Sequence, residues 1–170
     1  MAQQIETPED RPPTALPPTR VFLVIVDDSQ EMPIALHYAC RRARNGGGRV
    51  ALLRVLEPAD FQQWMSVADL MENEQRENAE NLLQRLGKTV IEKSGRLPVF
   101  HIRQGHLREE LANLIAEDKS ISVLVLAAAS AGDNPGPLIN HISGKGLGSI
   151  RVPVTIIPAG MTEADLDPIT

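Results

Sequence analysis

Two stretches of the sequence combine residue types that bind small ligands. The first is Asp27, Asp28 and Ser29, two carboxylates and a hydroxyl that directly follow the apolar run VFLVIV. The second is AAASAGDNPG at 127–136, a run of small and turn-forming residues that follows the apolar run SVLVL. Polar groups and flexible loops at the carboxyl ends of parallel strands are typical of ligand crevices in α/β proteins. We therefore treat both stretches as candidate site loops.

The other reactive side chains do not form a catalytic or metal-binding pattern. The segment SGKG at 143–146 lacks the first glycine of a phosphate-binding P-loop, because Ile139 stands at that position. His101 and His106 flank a turn with no cysteine nearby, so we expect no zinc site. The single cysteine, Cys40, falls on the apolar side of a predicted helix, which indicates a buried side chain. We expect a binding or regulatory protein and not an enzyme.

The elements that must position the two loops follow from the hydrophobic pattern. Uninterrupted apolar runs predict strands at 21–26, 49–55, 99–103, 122–126 and 152–158. Amphipathic runs predict helices at 31–45, 66–94, 107–115 and 138–150. This alternation predicts a Rossmann-like α/β fold, a doubly wound five-stranded parallel sheet of order 3-2-1-4-5 between four helices. In that order a crevice opens between Asp27 and the loop after Leu126.

Composition limits the class of protein. The chain has 170 residues, of which 42% are hydrophobic and only 3% aromatic, so one domain with an aliphatic core is expected. Lys and Arg number 17 against 22 Asp and Glu, a net charge of -5, which argues against nucleic acid as a partner. Residues 1–19 are proline-rich and predicted to be a disordered arm, 20–160 form the domain, and 161–170 are an acidic tail. We expect neither a signal peptide nor a membrane span, and a cytoplasmic location.

The order and spacing of these pieces resemble the universal stress protein family from about 20 to 159. VFLVIVDDSQEMPIALHYA looks like the family's first strand and helix, where the strand ends V-D-G-S; Asp27 matches the aspartate and Asp28 replaces the glycine. ALLRVLEP is similar to the second strand, with Arg54 at the position of a usual histidine. VLVLAAASAGDNPGPLINHISGKGLGSIRVPVTIIP matches without a gap the family's run from the fourth strand, through a loop and a helix, to the closing strand.

The resemblance also implies a nucleotide site, from which this chain departs. ATP-binding members carry glycine, two residues, glycine, nine residues, glycine and then serine or threonine, because backbone amides must approach the phosphates closely. Counting back from Pro153 places Ala127, Ser130, Asn140 and His141 on these four positions, so no glycine remains. An alternative alignment uses Gly132 and Gly144 but changes the spacing. We predict loss or strong weakening of ATP binding at a degenerate site. Its residues are Asp27, Asp28, Ser29, Ala127, Ser130, Asn140 and His141.

The resemblance implies a stress-response or regulatory protein that acts as a homodimer, with the last strand, Val152 to Ile157, paired to its own copy. Alternatively, the tail from Met161 onward covers this edge of the sheet. A further protein partner stays open, and no cofactor is expected. One alternative is an ATP- or AMP-binding switch that uses magnesium and hydrolyses ATP slowly. It would place Asp27 near the nucleoside, and near the phosphates it would place Ser130, Asn140 and His141.

Two further interpretations of the aspartates stay open. A receiver-like phospho-acceptor would use Asp27 and Asp28, but it needs an aspartate after the third strand and a lysine after the fifth, where the chain has RQ and PA. Alternatively, both aspartates only cap the first helix. Asp28 and Glu31 have the spacing of such a cap.

Overall fold

The computed structural model describes residues 19–58, 65–130 and 134–170, so the predicted arm at 1–19 lies outside the described residues apart from Thr19. Five strands form one parallel sheet of order β3-β2-β1-β4-β5, which confirms the predicted topology. The strands are β1 (Val21–Ile25), β2 (Arg49–Leu56), β3 (Val99–Gln104), β4 (Ile121–Ala127) and β5 (Val154–Ile157). The helices are α1 (Met32–Gly46), α2 (Met65–Ser94), α3 (Leu107–Glu117), α4 (Pro137–Ser143) and α5 (Glu163–Leu166).

β1 lies at the centre of the sheet and is buried along its whole length. Its side chains alternate between two layers: Phe22 and Val24 pack in the core beneath α1 and α2, whereas Leu23 and Ile25 pack beneath α3 and α4. A strand that is covered on both faces needs an apolar residue at every position. This burial explains the unbroken apolar run in the sequence.

The register places the ends of β1 and β4 side by side. Val24 pairs with Leu52 of β2 on one side and with Val125 of β4 on the other. Both of these pairings are parallel, so the residues that follow β1 and β4 emerge at the same edge of the sheet. The predicted neighbourhood of the two site loops is therefore confirmed.

The helix predicted at 138–150 is broken, which corrects the sequence prediction. α4 ends at Ser143, and a separate 3-10 turn covers Lys145–Gly148. Gly144 leaves the helical conformation with φ -99° and ψ -115°, and its N–H donates to the carbonyls of Asn140 and His141. Each of the glycines in GKGLG costs a helix about 1 kcal/mol relative to alanine, and their sum ends α4 early. β5 also starts later than predicted, at Val154, because Pro153 has no N–H for the ladder.

The acidic segment 161–170 folds, so the structure has a fifth helix where only a tail was predicted. Thr162 and Asp165 form a reciprocal capping box at the start of α5. Leu166 is 1% exposed and packs in the core beneath α1. A 3-10 turn at Asp167–Ile169 follows.

Two further findings concern Cys40 and the character of the helices. Cys40 is fully buried in α1, as expected, and desolvation raises the pKa of its thiol to about 11. Across the described residues, no helix combines the length and the apolar character needed to cross a membrane.

Candidate functional site

A cavity of about 210 Å³ lies between the ends of β1 and β4. Its floor is apolar and comes from both strands, α1 and α4, while carboxylates and a hydroxyl lie at its edge. The lining residues are Ile25, Asp27, Ser29, Glu31, Met32, Ala35, Leu107, Val125, Leu126, Ala127, Ala129, Pro135, Gly136, Pro137, Leu138 and Ile139. An apolar body with few polar groups is the kind of ligand that such a cavity suits.

Asp27 and Ser29 organise the β1 side of the crevice. The Asp27 carboxylate accepts hydrogen bonds from the Ser29 amide at 3.1 Å and from its hydroxyl at 2.6 Å. The Ser29 hydroxyl oxygen in turn accepts from the Met32 amide at 3.2 Å, which satisfies one of the unpaired donors at the start of α1. Asp27 thus lines the cavity and holds the residue that bonds to the helix.

Asp28 lies apart from this network, which corrects its prediction as a helix cap. Its carboxylate pairs with the Arg54 guanidinium at 3.2 Å, and that guanidinium also donates to the Val26 carbonyl at 3.0 Å. The N-cap residue, Glu31, makes no side-chain capping bond either. The Asp28 carboxylate is therefore used by Arg54 of β2 and is not bonded to the start of α1.

The loop after β4 forms the opposite side. Ala127 and Ala129 line the cavity. The backbone N–H of Ser130 donates to Glu31 Oε1 at 2.9 Å, which joins this loop to the start of α1. Ser130 itself is exposed. Gly132, the residue used by the alternative alignment, lies outside the described residues.

Asn140 and His141 do not line the cavity, in contrast to their predicted place at a phosphate site. α4 starts at Pro137, so both residues lie inside the helix and not at its start. The Asn140 amide donates to the Gly136 carbonyl at 3.0 Å, and its side chain donates to Asn134 Oδ1 at 2.7 Å. The His141 ring packs closely against Gly146. The structure therefore brings together Asp27, Ser29 and Ala127 from the predicted set, with the Ser130 amide at the edge.

Glu31 is the residue whose position the sequence interpretation missed. Its spacing from Asp28 predicts a capping signature at α1, whereas its carboxylate accepts a hydrogen bond from the loop after β4. Together with Asp27 it gives the cavity two acidic groups, and the described lining residues include no Lys, Arg or His. An acidic residue at the start of a helix was the only sequence signal, and it cannot reveal a partner 99 residues away.

The receiver-like interpretation finds no support at the strand ends. β3 ends at Gln104, and β5 ends at Ile157 before Pro158. Neither position supplies the aspartate or the lysine that such a phosphorylation site needs.

Comparisons with known proteins agree with this architecture. Residues 18–158 match the model of the universal stress protein family. A search of curated protein sequences gives no significant match.

Among similar solved structures is the universal stress protein UspA from Lactobacillus plantarum, with TM-score 0.68, 16% identity, and coverage of 82% of this chain and 97% of that chain. A universal stress protein from Arabidopsis thaliana with AMP bound gives 0.58, 15%, 89% and 99% in the same order. A universal stress protein in complex with cAMP gives 0.61, 14%, 83% and 98%. The family model matches most of the chain, and the solved structures share its fold. The chain therefore belongs to the universal stress protein family.

Proposed function

We propose that this protein is a cytoplasmic stress-response or regulatory protein that acts as a homodimer, and that its crevice binds a small ligand but holds ATP weakly or not at all. Family membership supports the regulatory role. The apolar cavity between β1 and β4 supports ligand binding. The proposal includes no catalytic step.

The proposal of weak ATP binding rests on backbone amides that are already hydrogen-bonded within the protein. A triphosphate site needs amides that point at the phosphates. Here the Asn140 amide is used inside α4 and the Ser130 amide is bonded to Glu31. Two of the three positions that align with the family's glycines, Ser130 and Asn140, therefore lack an available donor.

A thermal shift series with ATP and magnesium tests this claim. Saturating binding raises the melting temperature by mass action, by an amount that grows with the logarithm of ligand concentration. We expect no change across the series, with a nucleotide-binding family member assayed in parallel as the positive control. A concentration-dependent rise would contradict the proposal.

The second candidate is an ATP- or AMP-binding switch. It is favoured by the solved relatives, one with AMP bound and one in complex with cAMP. Asp27 would then contact the nucleoside beside the apolar floor. Mass spectrometry of small molecules that co-purify with the native protein separates the two candidates, because a switch should carry near-stoichiometric adenine nucleotide.

The proposed dimer uses β5, which is an edge strand. An edge strand exposes backbone donors and acceptors that proteins usually cover or pair. Ile156 is 39% exposed at this edge, which suits contact with a second copy. Light scattering at micromolar concentration should give a dimer mass. Ile156→Asp should give a monomer, whereas Ile169→Asp, a control at an exposed isoleucine outside the strand, should not.

A further inference from the structure

Glu31 contacts the crevice in a way that capping does not explain. Its side chain is half-buried, lines the cavity and accepts a 2.9 Å hydrogen bond from the Ser130 amide. Ser130 follows β4 at the carboxyl edge of the sheet, where backbone amides of loops commonly bind the anionic groups of ligands. A carboxylate oxygen has the same acceptor chemistry as a phosphate oxygen. The protein thus supplies its own anion to this donor.

The surrounding charges act in the same direction. Asp27 lines the cavity beside Glu31, and no basic side chain appears among the described lining residues. A ligand phosphate would have to displace Glu31 from the amide and would still face two carboxylates. Like charges at close range repel each other, and the repulsion is less screened at the half-buried Glu31 than at the exposed Asp27.

From this geometry we propose that Glu31 is a specificity-determining residue, an internal carboxylate that occupies the anion position of the crevice and restricts it to ligands without negative charge. The ligand class is a neutral or cationic molecule with an apolar, nucleobase- or nucleoside-sized body. The cavity of about 210 Å³ is smaller than the roughly 300–1,000 Å³ typical of larger ligands. This inference rests on the proposed function, because it names the ligand class of the same site.

Adenosine and AMP are matched probes, since they share a nucleoside and differ by a phosphate. Their affinities are measured by calorimetry for wild type, Glu31→Gln and Glu31→Ala. Gln keeps an oxygen for the Ser130 amide but removes the charge, whereas Ala removes both. Glu57→Gln is the control, because it removes one charge from a residue outside this cavity. The ¹⁵N–¹H shift of the Ser130 amide reports the hydrogen bond without any ligand.

We expect Glu31→Ala to tighten AMP binding by about tenfold or more, as expected from removing a like charge at close range. Adenosine affinity should change less than about threefold. Glu31→Gln should give a smaller gain for AMP, and Glu57→Gln none. The Ser130 amide shift should move in Glu31→Ala. An unchanged AMP affinity in Glu31→Ala, an equal gain for both probes, or an unmoved Ser130 shift overturns the inference.

Failure of this inference differs from failure of the proposed function. If wild type binds ATP with magnesium and Glu31→Ala still tightens AMP, the proposed weak ATP binding fails and the role of Glu31 stands. If wild type does not bind ATP and Glu31→Ala does not bind AMP more tightly, the proposed function stands and the role of Glu31 fails.

Discussion

Helix α1 takes part in two polar networks that differ in burial. At its start, Asp27 and Ser29 are exposed and lie at the edge of an open crevice. In its middle, His37 is 6% exposed and lies between two other elements. Lys93 of α2 donates to His37 Nδ1 at 3.0 Å, which leaves Nε2 to donate to Asp167 at 2.9 Å.

This difference in burial suits the crevice network to ligand binding and the buried network to stabilising the fold. In the crevice network, a ligand or water can replace each protein partner at little cost. In the second network, loss of a partner leaves a buried imidazole without its hydrogen bond, which is costly. We call the second network, formed by His37, Lys93, Glu163 and Asp167, the tail clamp. The comparison predicts larger stability effects for the buried residues at and beside the tail clamp than for the exposed residues at the crevice.

The largest effect is expected at Leu166, the apolar residue beside the tail clamp. Leu166→Ala removes a side chain that is 1% exposed in the core beneath α1, so it should lower the free energy of unfolding by about 2–4 kcal/mol. Urea denaturation followed by circular dichroism measures the change. Ile169→Ala, at a residue 62% exposed in the same segment, is the control and should be nearly neutral. Similar small losses for both variants would mean that the segment does not contribute to the core.

The next largest effect is expected at Gly146, and it tests whether the His141 ring is packed in the interior or is free at the crevice. A Cβ on Gly146 would come within 2.7 Å of the His141 ring and 2.8 Å of its carbonyl oxygen. Gly146→Ala should therefore cost about 1–3 kcal/mol of unfolding free energy. Gly148→Ala is a matched control, because nothing lies within 4 Å of its Cβ position. Equal stability of both variants would show that the His141 ring moves aside freely.

His37→Gln should have a smaller effect, because glutamine keeps some hydrogen-bonding capacity. We expect a loss of about 1–2 kcal/mol in unfolding free energy. A double-mutant cycle with Asp167→Asn isolates the pair, and a coupling energy above about 0.5 kcal/mol is expected for groups in direct contact. Additive effects would show that His37 and Asp167 contribute independently to the free energy of unfolding.

The sheet and the place of the crevice were predictable because a strand that is buried on both faces requires an unbroken run of apolar residues. β1 and β4 carry such runs, and the order 3-2-1-4-5 then puts their ends together. The break in the last helix was predictable only in part. The glycines after Ser143 weaken a helix in any context, but where it ends depends on the bonds that Gly144 finds.

The tail clamp and the Glu31 contact could not be predicted, since each depends on distant residues brought together by folding. MTEADLDPIT has few apolar residues, and its local signal was the spacing of Thr162 and Asp165. What docks the segment is Leu166 in the core together with Lys93 and His37, from helices far away in the sequence. For Glu31, its partner is an amide, which every residue type but proline provides, so the sequence carries no mark of it.

At the crevice, Ser29→Ala should cost only about 0.5–1 kcal/mol of unfolding free energy. It removes the oxygen that accepts from the Met32 amide and the donor to Asp27. Ser130→Ala makes the same chemical change in the opposite loop, where the bond to the described residues is made by the backbone N–H. It should stay within about 0.5 kcal/mol of wild type. A Ser29→Ala loss as large as that of Leu166→Ala would contradict the division between the two networks.

The smallest effect is the pH dependence of the tail clamp through Glu163. A 2.6 Å hydrogen bond from Lys93 holds the pKa of the Glu163 carboxyl below its ordinary value of 4.5. The unfolded chain therefore binds this proton at higher pH than the folded protein, so the stabilisation is complete above the ordinary pKa and is lost as pH falls through the lowered one. Because both side chains are partly exposed, the contribution should not exceed about 1 kcal/mol.

Glu163→Gln gives the measurement of this effect. Its difference in unfolding free energy from wild type should be constant from neutral pH down to about 5, and should shrink at lower pH as wild-type Glu163 becomes protonated. Glu92→Gln, at an exposed residue of α2, should differ little from wild type at any pH. A Glu163→Gln difference that does not change with pH would mean that Lys93 does not stabilise the carboxylate. The segment would then be docked by the contacts of Asp167 with His37 and Arg41 and by Leu166 in the core.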